Sequence, residues 1–274
     1  MFRILSLGAG VQSSTLALMA EHGDVSPFDA AIFADTQNEP KKVYEWLAWL
    51  KTQLSYPVYE VTAGDLGYDS ITPRVSGKTG NIYNRKLIPA YFDNGNGGRG
   101  LLGRKCTAEY KVRALVKKQR ELAKIPRGCK DIRVKVAIGI SYDEVERMKP
   151  SQVPWAESHW PLVDLKMTRD DCFAWMAKHG FPTPPRSACR FCPFHSDAEW
   201  IRLRDEEPEE FAQAVAFDEQ LRYVSSLATG SAQLKGDVYL HSTLKPLRDV
   251  VFKDVPSHAQ VSQFGNECEG LCGV

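Results

Sequence analysis

The first sixty residues restrict the fold more tightly than any other part of the chain. "FRILSLG" is a short apolar run that ends in small residues, and Gln12 to Glu21 continue it with a helical pattern. "DAAIFAD" is a second apolar run, ending at Asp35. "KKVYEWLAWLKTQL" then places Val43, Trp46, Leu47, Leu50 and Leu54 at helical spacing, and "PVYEV" is a third strand-like run. Strand, helix, strand, helix, strand at these lengths requires βαβ units and a parallel sheet.

Past Gly64 the pattern weakens. From there to Gly103, and above all in "FDNGNGGRGLLG", the chain is too rich in Gly and Asn for a regular element, so a long lid or binding loop is expected. Ala108 to Lys124 reads as a basic helix and "IRVKVAIGI" as a further strand. "SHWPLVDL" leads to Thr168, an N-cap for the helix "RDDCFAWMAKHG", which Gly180 terminates. Beyond "FPTPPRS", the expected boundary region, come the "CRFC" knuckle, a helix capped by Ser196 and a longer helix from about Pro208 to Leu227. The expectation is a Rossmann-like α/β core over residues 1–165 and a mostly helical, cysteine-bearing region over 166–274.

Composition places limits on function. The chain has 274 residues, 43% hydrophobic and 25% charged, as an ordinary globular protein does. No apolar run reaches the roughly 18 residues of a membrane span, and the N-terminus lacks a signal pattern. A cytoplasmic protein without a membrane partner is expected. Between Arg99 and Lys135 thirteen Lys or Arg stand against three acids (Glu109, Glu121 and Asp131), either a solvated helix face or a site for a polyanion such as tRNA or DNA. Seven cysteines in such a protein point to metal or thiol chemistry rather than a disulfide framework.

The turn between the first strand and helix has three readings. As a Rossmann fingerprint it offers Gly8 and Gly10, with Ser13 in place of a third glycine and Asp35 as the ribose acid. A Walker A loop is excluded, because no Gly-Lys-Ser/Thr follows. The third reading is the pyrophosphate loop (PP-loop) of ATP pyrophosphatases, typically Ser-Gly-Gly-x-Asp-Ser. In each, backbone N–H groups converge on an anion at a helix N-terminus. Ser13 and Ser14 in the first turn would add hydroxyl donors, which suits the third reading best.

"SLGAGVQSS", "FADTQNEP", "KCTAEYKVRAL", "GISYDEVER", "CRFCPF" and "NECEGLCGV" together resemble, in order and over nearly the whole chain, the phosphoadenosine phosphosulfate (PAPS) reductase-like branch of the adenine nucleotide α-hydrolase superfamily. The resemblance implies a PP-loop made by Gly8, Ala9, Gly10, Ser13 and Ser14, with Ser6 and Gln12 also near the nucleotide, ATP or PAPS. Gly8 stands where that loop usually has Ser, and Gln12 where many ATP-cleaving members have an Asp that helps place Mg²⁺. Asp35 and Thr36 match the Asp-Thr element at a strand end, with Glu39 expected to orient the carboxylate. Gly139, Glu144 and Arg147 match the Gly-Ile-Arg-x-x-Glu-Ser-x-Arg element, with Ser141 in place of its first Arg; Arg147 would bind phosphate or sulfate. Alternatively, Glu144 and Arg147 are a surface ion pair.

Cys189 and Cys192 form a C-x-x-C pair, and Cys268 and Cys272 lie in the last seven residues. All four could close a structural zinc knot. The resemblance favours a second set, Cys106, Cys189, Cys192 and a tail cysteine around a [4Fe–4S] cluster. It also makes Cys268 the mobile nucleophile, a catalytic residue with Asp35 and Arg147, and leaves Cys272 as fourth ligand; the two tail roles are interchangeable. Cys172 is expected in the core, Cys129 as a lone thiol, His195 as support for the knuckle, and His241 and Lys245 near the substrate.

The expected function is therefore adenine-nucleotide-dependent sulfur handling. It would be either reduction of PAPS or ATP-driven sulfur transfer to tRNA or DNA, served by a thiol reductant or sulfur-donor protein, with a homodimer as one open assembly. A nucleotide-sensing or nucleic-acid-binding module with structural zinc and no turnover is the alternative; an NAD-dependent oxidoreductase would leave the cysteines unexplained.

Overall fold

The three apolar runs are strands: β1 (Phe2–Leu7), β2 (Ala30–Asp35) and β3 (Val58–Thr62), joined by the helices α1 (Val11–His22) and α2 (Lys41–Gln53). The structure is a computed structural model that describes residues 1–96 and 98–253. In chain order there follow α3 (Leu66–Ile71), β4 (Arg74–Val75), β5 (Ile82–Tyr83), β6 (Tyr91–Asp93), β7 (Arg99–Leu101), α4 (Arg113–Leu122) and β8 (Val134–Ile138). The remaining elements are β9 (Ala156–His159), α5 (Pro161–Asp164), α6 (Arg169–Lys178), α7 (Asp197–Glu206), α8 (Pro208–Ser226) and β10 (Val238–Tyr239).

A five-stranded sheet in the order β3-β2-β1-β8-β9 is parallel throughout. Its strands read as continuous apolar runs because both faces are covered. On one face Leu5, Leu7, Ala31, Phe33 and Ala137 pack with residues of α1, α2 and α6, among them Leu16, Leu50 and Met176. On the other, Ile4, Ile32, Val136 and Ile138 pack with Leu115 of α4. Strand order runs one way from β1 through β2 to β3 and the other way through β8 to β9. The crevice beyond the carboxyl ends of β1 and β8 is thus a topological switch point, the usual ligand position in open α/β sheets.

The expected long loop from Gly64 to Gly103 is corrected. It holds α3, whose N-cap Asp65 accepts from the Tyr68 N–H, and two short antiparallel pairs, β4–β5 and β6–β7, the second extended by β10. Strands of two or three residues are too short to display a period of two. Gly100 belongs there because the Phe92 ring lies where its Cβ would stand. The helix expected from Ala108 begins as a π-helix, Thr107–Val112, and only then becomes α4.

A second core joins distant stretches: Leu66, Leu87, Ile88 and Tyr110 pack with Phe191, Trp200, Phe217 and Leu240. Phe191 and Phe217 stack with centroids 3.9 Å apart. Packing thus does not follow the expected division at residue 165, since α6 sits with α1 and residues 66–110 sit with the C-terminal helices. Thr168 caps α6 in a reciprocal capping box with Asp171, and Ser196 caps α7. Among the described residues no helix is long and apolar enough to cross a membrane.

Candidate functional site

At the carboxyl end of β1 the chain turns through Gly8, Ala9 and Gly10 into α1. Ala9 has φ +58°, the left-handed region that strains a residue with a Cβ. Hydrogen bonds hold the turn: the Gly8 N–H donates to Ser13 Oγ at 3.1 Å, and the Ser187 hydroxyl donates to the Gly8 carbonyl. Ser14 Oγ accepts from the Trp46 indole N–H at 2.9 Å. The two hydroxyls expected to reach toward a phosphate are turned inward, one bracing the loop and one joining α1 to α2. Ser6 is buried on β1, its Oγ without a hydrogen-bond partner among the described residues.

Gln12 occupies the switch point. Its Nε2 donates to Glu144 Oε2 at 3.1 Å, and its Oε1 accepts from Arg169 Nη1 at 3.0 Å. Ser141 Oγ lies 3.5 Å from the same Nε2. A neutral amide suits this place, since one end meets a carboxylate and the other a guanidinium; an Asp would face Glu144 with like charge. Glu144 also pairs with Arg147 at 2.6 Å, with side chains 9% and 14% exposed. The two expected pocket residues are therefore brought together, but in a largely buried ion pair rather than a surface one. Gly139 directly follows β8 and is buried.

At the end of β2, Asp35 Oδ1 accepts from the Gln37 N–H at 2.7 Å and the Tyr44 hydroxyl at 2.8 Å. Burial, then the Asp35 carboxylate, pushes the Tyr44 hydroxyl far above its ordinary range. Glu39 does not orient Asp35 as expected. Fully buried, it pairs with Lys111 at 3.3 Å, while its carbonyl accepts from Arg190. Buried Thr36 places Oγ1 3.2 Å from Cys189 Sγ.

That contact opens onto a small cavity, about 30 Å³, lined by Thr36, Cys106, Lys111, Cys189 and Cys192, with Arg104 beside them over the Phe194 ring. Cys106, at the head of the π-turn, and Lys111, within it, both line this cavity. Burial pushes the Cys189 thiol well above its usual range, Glu39 adding to this and Lys111 opposing it. Three of the four expected ligands thus share a cavity, yet among the described residues no three His, Cys, Asp or Glu side chains form a group that could hold a metal ion. Cys268 and Cys272 lie outside the described residues.

His195 meets the Cys189 carbonyl through Nε2 at 3.1 Å, in keeping with a supporting place beside the knuckle. Burial, with Arg186 adding, pushes its pKa down to about 3, so the ring is neutral. His241 pairs with Asp197 at 3.0 Å across a separate cavity of about 370 Å³, while Lys245 is exposed. Cys172 is a core residue, fully buried. Cys129 packs partly buried at the edge of the α4 core.

The basic stretch divides. Lys111 is buried, Lys118 pairs with Glu121 at 2.6 Å, and Arg120 donates to the Ile125 and Pro126 carbonyls. Lys105, Arg113, Lys117, Lys124, Arg127, Lys130 and Arg133 are exposed. Sequence reasoning missed Ser187, Trp46, Tyr44 and Arg169. Of these only Arg169 carried a signal, as the first residue after a recognised N-cap.

Fold and site define an α/β protein with a Rossmann-like parallel sheet and a buried polar and thiol cluster beyond its carboxyl edge. Neither a protein-family model nor a curated protein matches the chain.

Proposed function

We propose that the protein is an adenine-nucleotide-dependent, sulfur-handling enzyme of the PAPS reductase-like, PP-loop kind. The observation that carries this reading is the contact between Thr36, at the strand end where a nucleotide would lie, and Cys189 of a three-cysteine cavity. ATP or PAPS would rest its phosphates or sulfate on the Gly8–Gly10 turn at the N-terminus of α1, with Asp35 available to ribose or adenine. Because position 12 is an amide, the adjoining Glu144 would have to give up its pairing with Arg147 to help hold Mg²⁺.

Three thiols line this cavity, and burial raises the Cys189 thiol until a cation compensates the thiolate, which supports a soft metal or an iron–sulfur cluster completed by a tail cysteine. Cys106, Cys189 and Cys192 would hold the group, with Cys272 or Cys268 as fourth ligand and the other as nucleophile. A bound cluster would supply redox or sulfur-transfer chemistry. Lys111 and Thr36 would stabilise negative charge on the thiolate sulfurs. The small cavity volume favours a second reading, a single structural Zn²⁺ in a nucleotide-sensing or nucleic-acid-binding module without turnover.

The test is anaerobic purification followed by iron, zinc and sulfide analysis, with titration of ATP and PAPS. Iron and sulfide with a shoulder near ~400 nm, together with nucleotide binding weakened by Asp35→Asn, supports the sulfur-handling reading. Stoichiometric zinc with no release of pyrophosphate, AMP or sulfite favours the module. Protein that takes up no metal and binds no nucleotide sinks both.

A further inference from the structure

The segment that follows β10 carries a histidine and two hydroxyl residues on a tightly held turn. Asp218 of α8, fully buried, accepts from the Leu240 N–H at 2.9 Å with one oxygen and from the Leu247 N–H at 3.0 Å with the other. A single carboxylate thus clamps both ends of the segment. Within it, the Leu244 N–H closes a turn on the His241 carbonyl, and the Ser242 carbonyl accepts from Arg99 Nη1. Leu244 has φ +56°. A residue with a Cβ persists in this left-handed region only where its surroundings fix it, and such strain gathers at functional sites.

His241 stands between two groups. Its Nε2 lies 3.0 Å from Oδ1 of Asp197, at the start of α7, and its Nδ1 lies 2.8 Å from Thr243 Oγ1. The Thr243 backbone N–H also donates to Nδ1 at 3.3 Å. A backbone N–H can only donate, so Nδ1 carries the lone pair and the ring proton sits on Nε2, facing Asp197. The Thr243 hydroxyl therefore donates to the free base. Asp197 is itself fixed, its other oxygen accepting from the Lys253 N–H at 2.7 Å. The His241 side chain is buried, whereas Thr243 is exposed. A hydroxyl, a base within hydrogen-bond reach of it and a carboxylate that orients the base form the arrangement of nucleophilic catalysis. All three line the cavity of about 370 Å³, together with Tyr91, Ser242 and Lys253.

We propose that Thr243, His241 and Asp197 form a second catalytic site, one that hydrolyses small carboxylic esters. Thr243 Oγ1 attacks the ester carbonyl carbon while His241 Nδ1 takes the hydroxyl proton. The bond from that carbon to the alcohol oxygen then breaks, and the alcohol leaves with the proton from His241. Water attacks the acyl-threonine in turn and gives a proton to His241. The acyl bond to Oγ1 breaks, Thr243 recovers the proton, and the carboxylic acid is released. Asp197 holds the ring in its tautomer and balances the imidazolium, so it is a positioning residue. One proton carrier is enough for an alkoxide leaving group. A phosphoryl group would call for several cations, and Lys253 is the only Lys or Arg among the described lining residues. The proposal does not depend on the nucleotide reading, which uses other residues.

The full-length protein is assayed with p-nitrophenyl acetate, following release of p-nitrophenolate. Saturable hydrolysis above the buffer rate is expected. Thr243 is exposed, so Thr243→Ala should fold as the parent does by circular dichroism, and it should lower kcat by about 100-fold or more. Thr243→Ser should keep kcat within about tenfold of the parent. Asp197→Asn should lower kcat by about 100-fold with KM little changed. Thiols also react with this ester, and Cys129→Ser should leave the rate as it was. If Asp197→Asn does not fold, the two Thr243 variants decide. Hydrolysis no faster than buffer, a kcat unchanged in Thr243→Ala or in folded Asp197→Asn, a loss in Thr243→Ser equal to that in Thr243→Ala, or a rate that falls with Cys129→Ser would each overturn the proposal.

Discussion

Single residues set the electrostatics of the carboxyl edge. His195 is neutral when folded, with a pKa of about 3, and takes up a proton near pH 6.5 when unfolded. Its folded value is depressed, so its contribution is complete above pH 6.5 and is lost as pH falls toward 3. Stability should decline there by up to roughly 1.4 kcal/mol per pH unit from this group, and His195→Gln should flatten that part of a urea-denaturation profile. The Glu39–Lys111 pair gives a second expectation. Lys111→Met alone strands a buried carboxylate and should cost about 3–5 kcal/mol, whereas adding Glu39→Gln should recover most of the loss. Equal stability of the single and double variants would contradict it. These pairings were not legible in the sequence. The residue types at Glu39, Ser13 and Ser14 suggested roles toward a ligand, but hydrogen-bond direction depends on neighbours such as Lys111 and Trp46 that only the fold supplies. Gln12, read as a departure from a motif, has its reason in Glu144 and Arg169, more than a hundred positions away.

Elements with long apolar periods were read well, and short ones were not. The βαβ start, α6 with its Thr168 cap, and α7 and α8 stand close to where patterning and capping put them. The β6–β7 hairpin escaped because three residues per strand carry no periodicity, and its glycines resemble those of a loop. Gly100 gives that hairpin a direct test. Gly100→Ala should push the Phe92 ring out of place and cost about 1–3 kcal/mol, measured by chemical denaturation. A silent substitution would mean that the ring adjusts freely. The π-turn at Thr107–Val112 was equally hidden, since a single wide turn leaves the apolar pattern of the following helix intact.

Across the whole molecule, the excess of positive charge between Arg99 and Lys135 is partly consumed internally, leaving an exposed subset to meet solvent. If this surface docks tRNA or DNA, each contact with a phosphate adds about 0.9 to the slope of affinity against salt for duplex DNA. Arg113→Gln with Lys117→Gln should then lower that slope by up to about 2 and weaken all sequences alike, as read by fluorescence anisotropy across a salt series. An unchanged slope would remove these two side chains from any nucleic-acid contact. The domain outline was legible only in part, because contiguous stretches of sequence suggest contiguous packing, and here the second core is shared between residues 66–110 and the C-terminal helices. That sharing has a consequence for biosynthesis. Tyr110 leaves the ribosome about 80 residues ahead of Phe191, and Leu87 and Ile88 about 100 ahead, a wait of roughly 4–21 s at ordinary translation speed. For that interval the nascent chain carries an uncovered apolar surface, which makes it a natural client for chaperones that bind during translation.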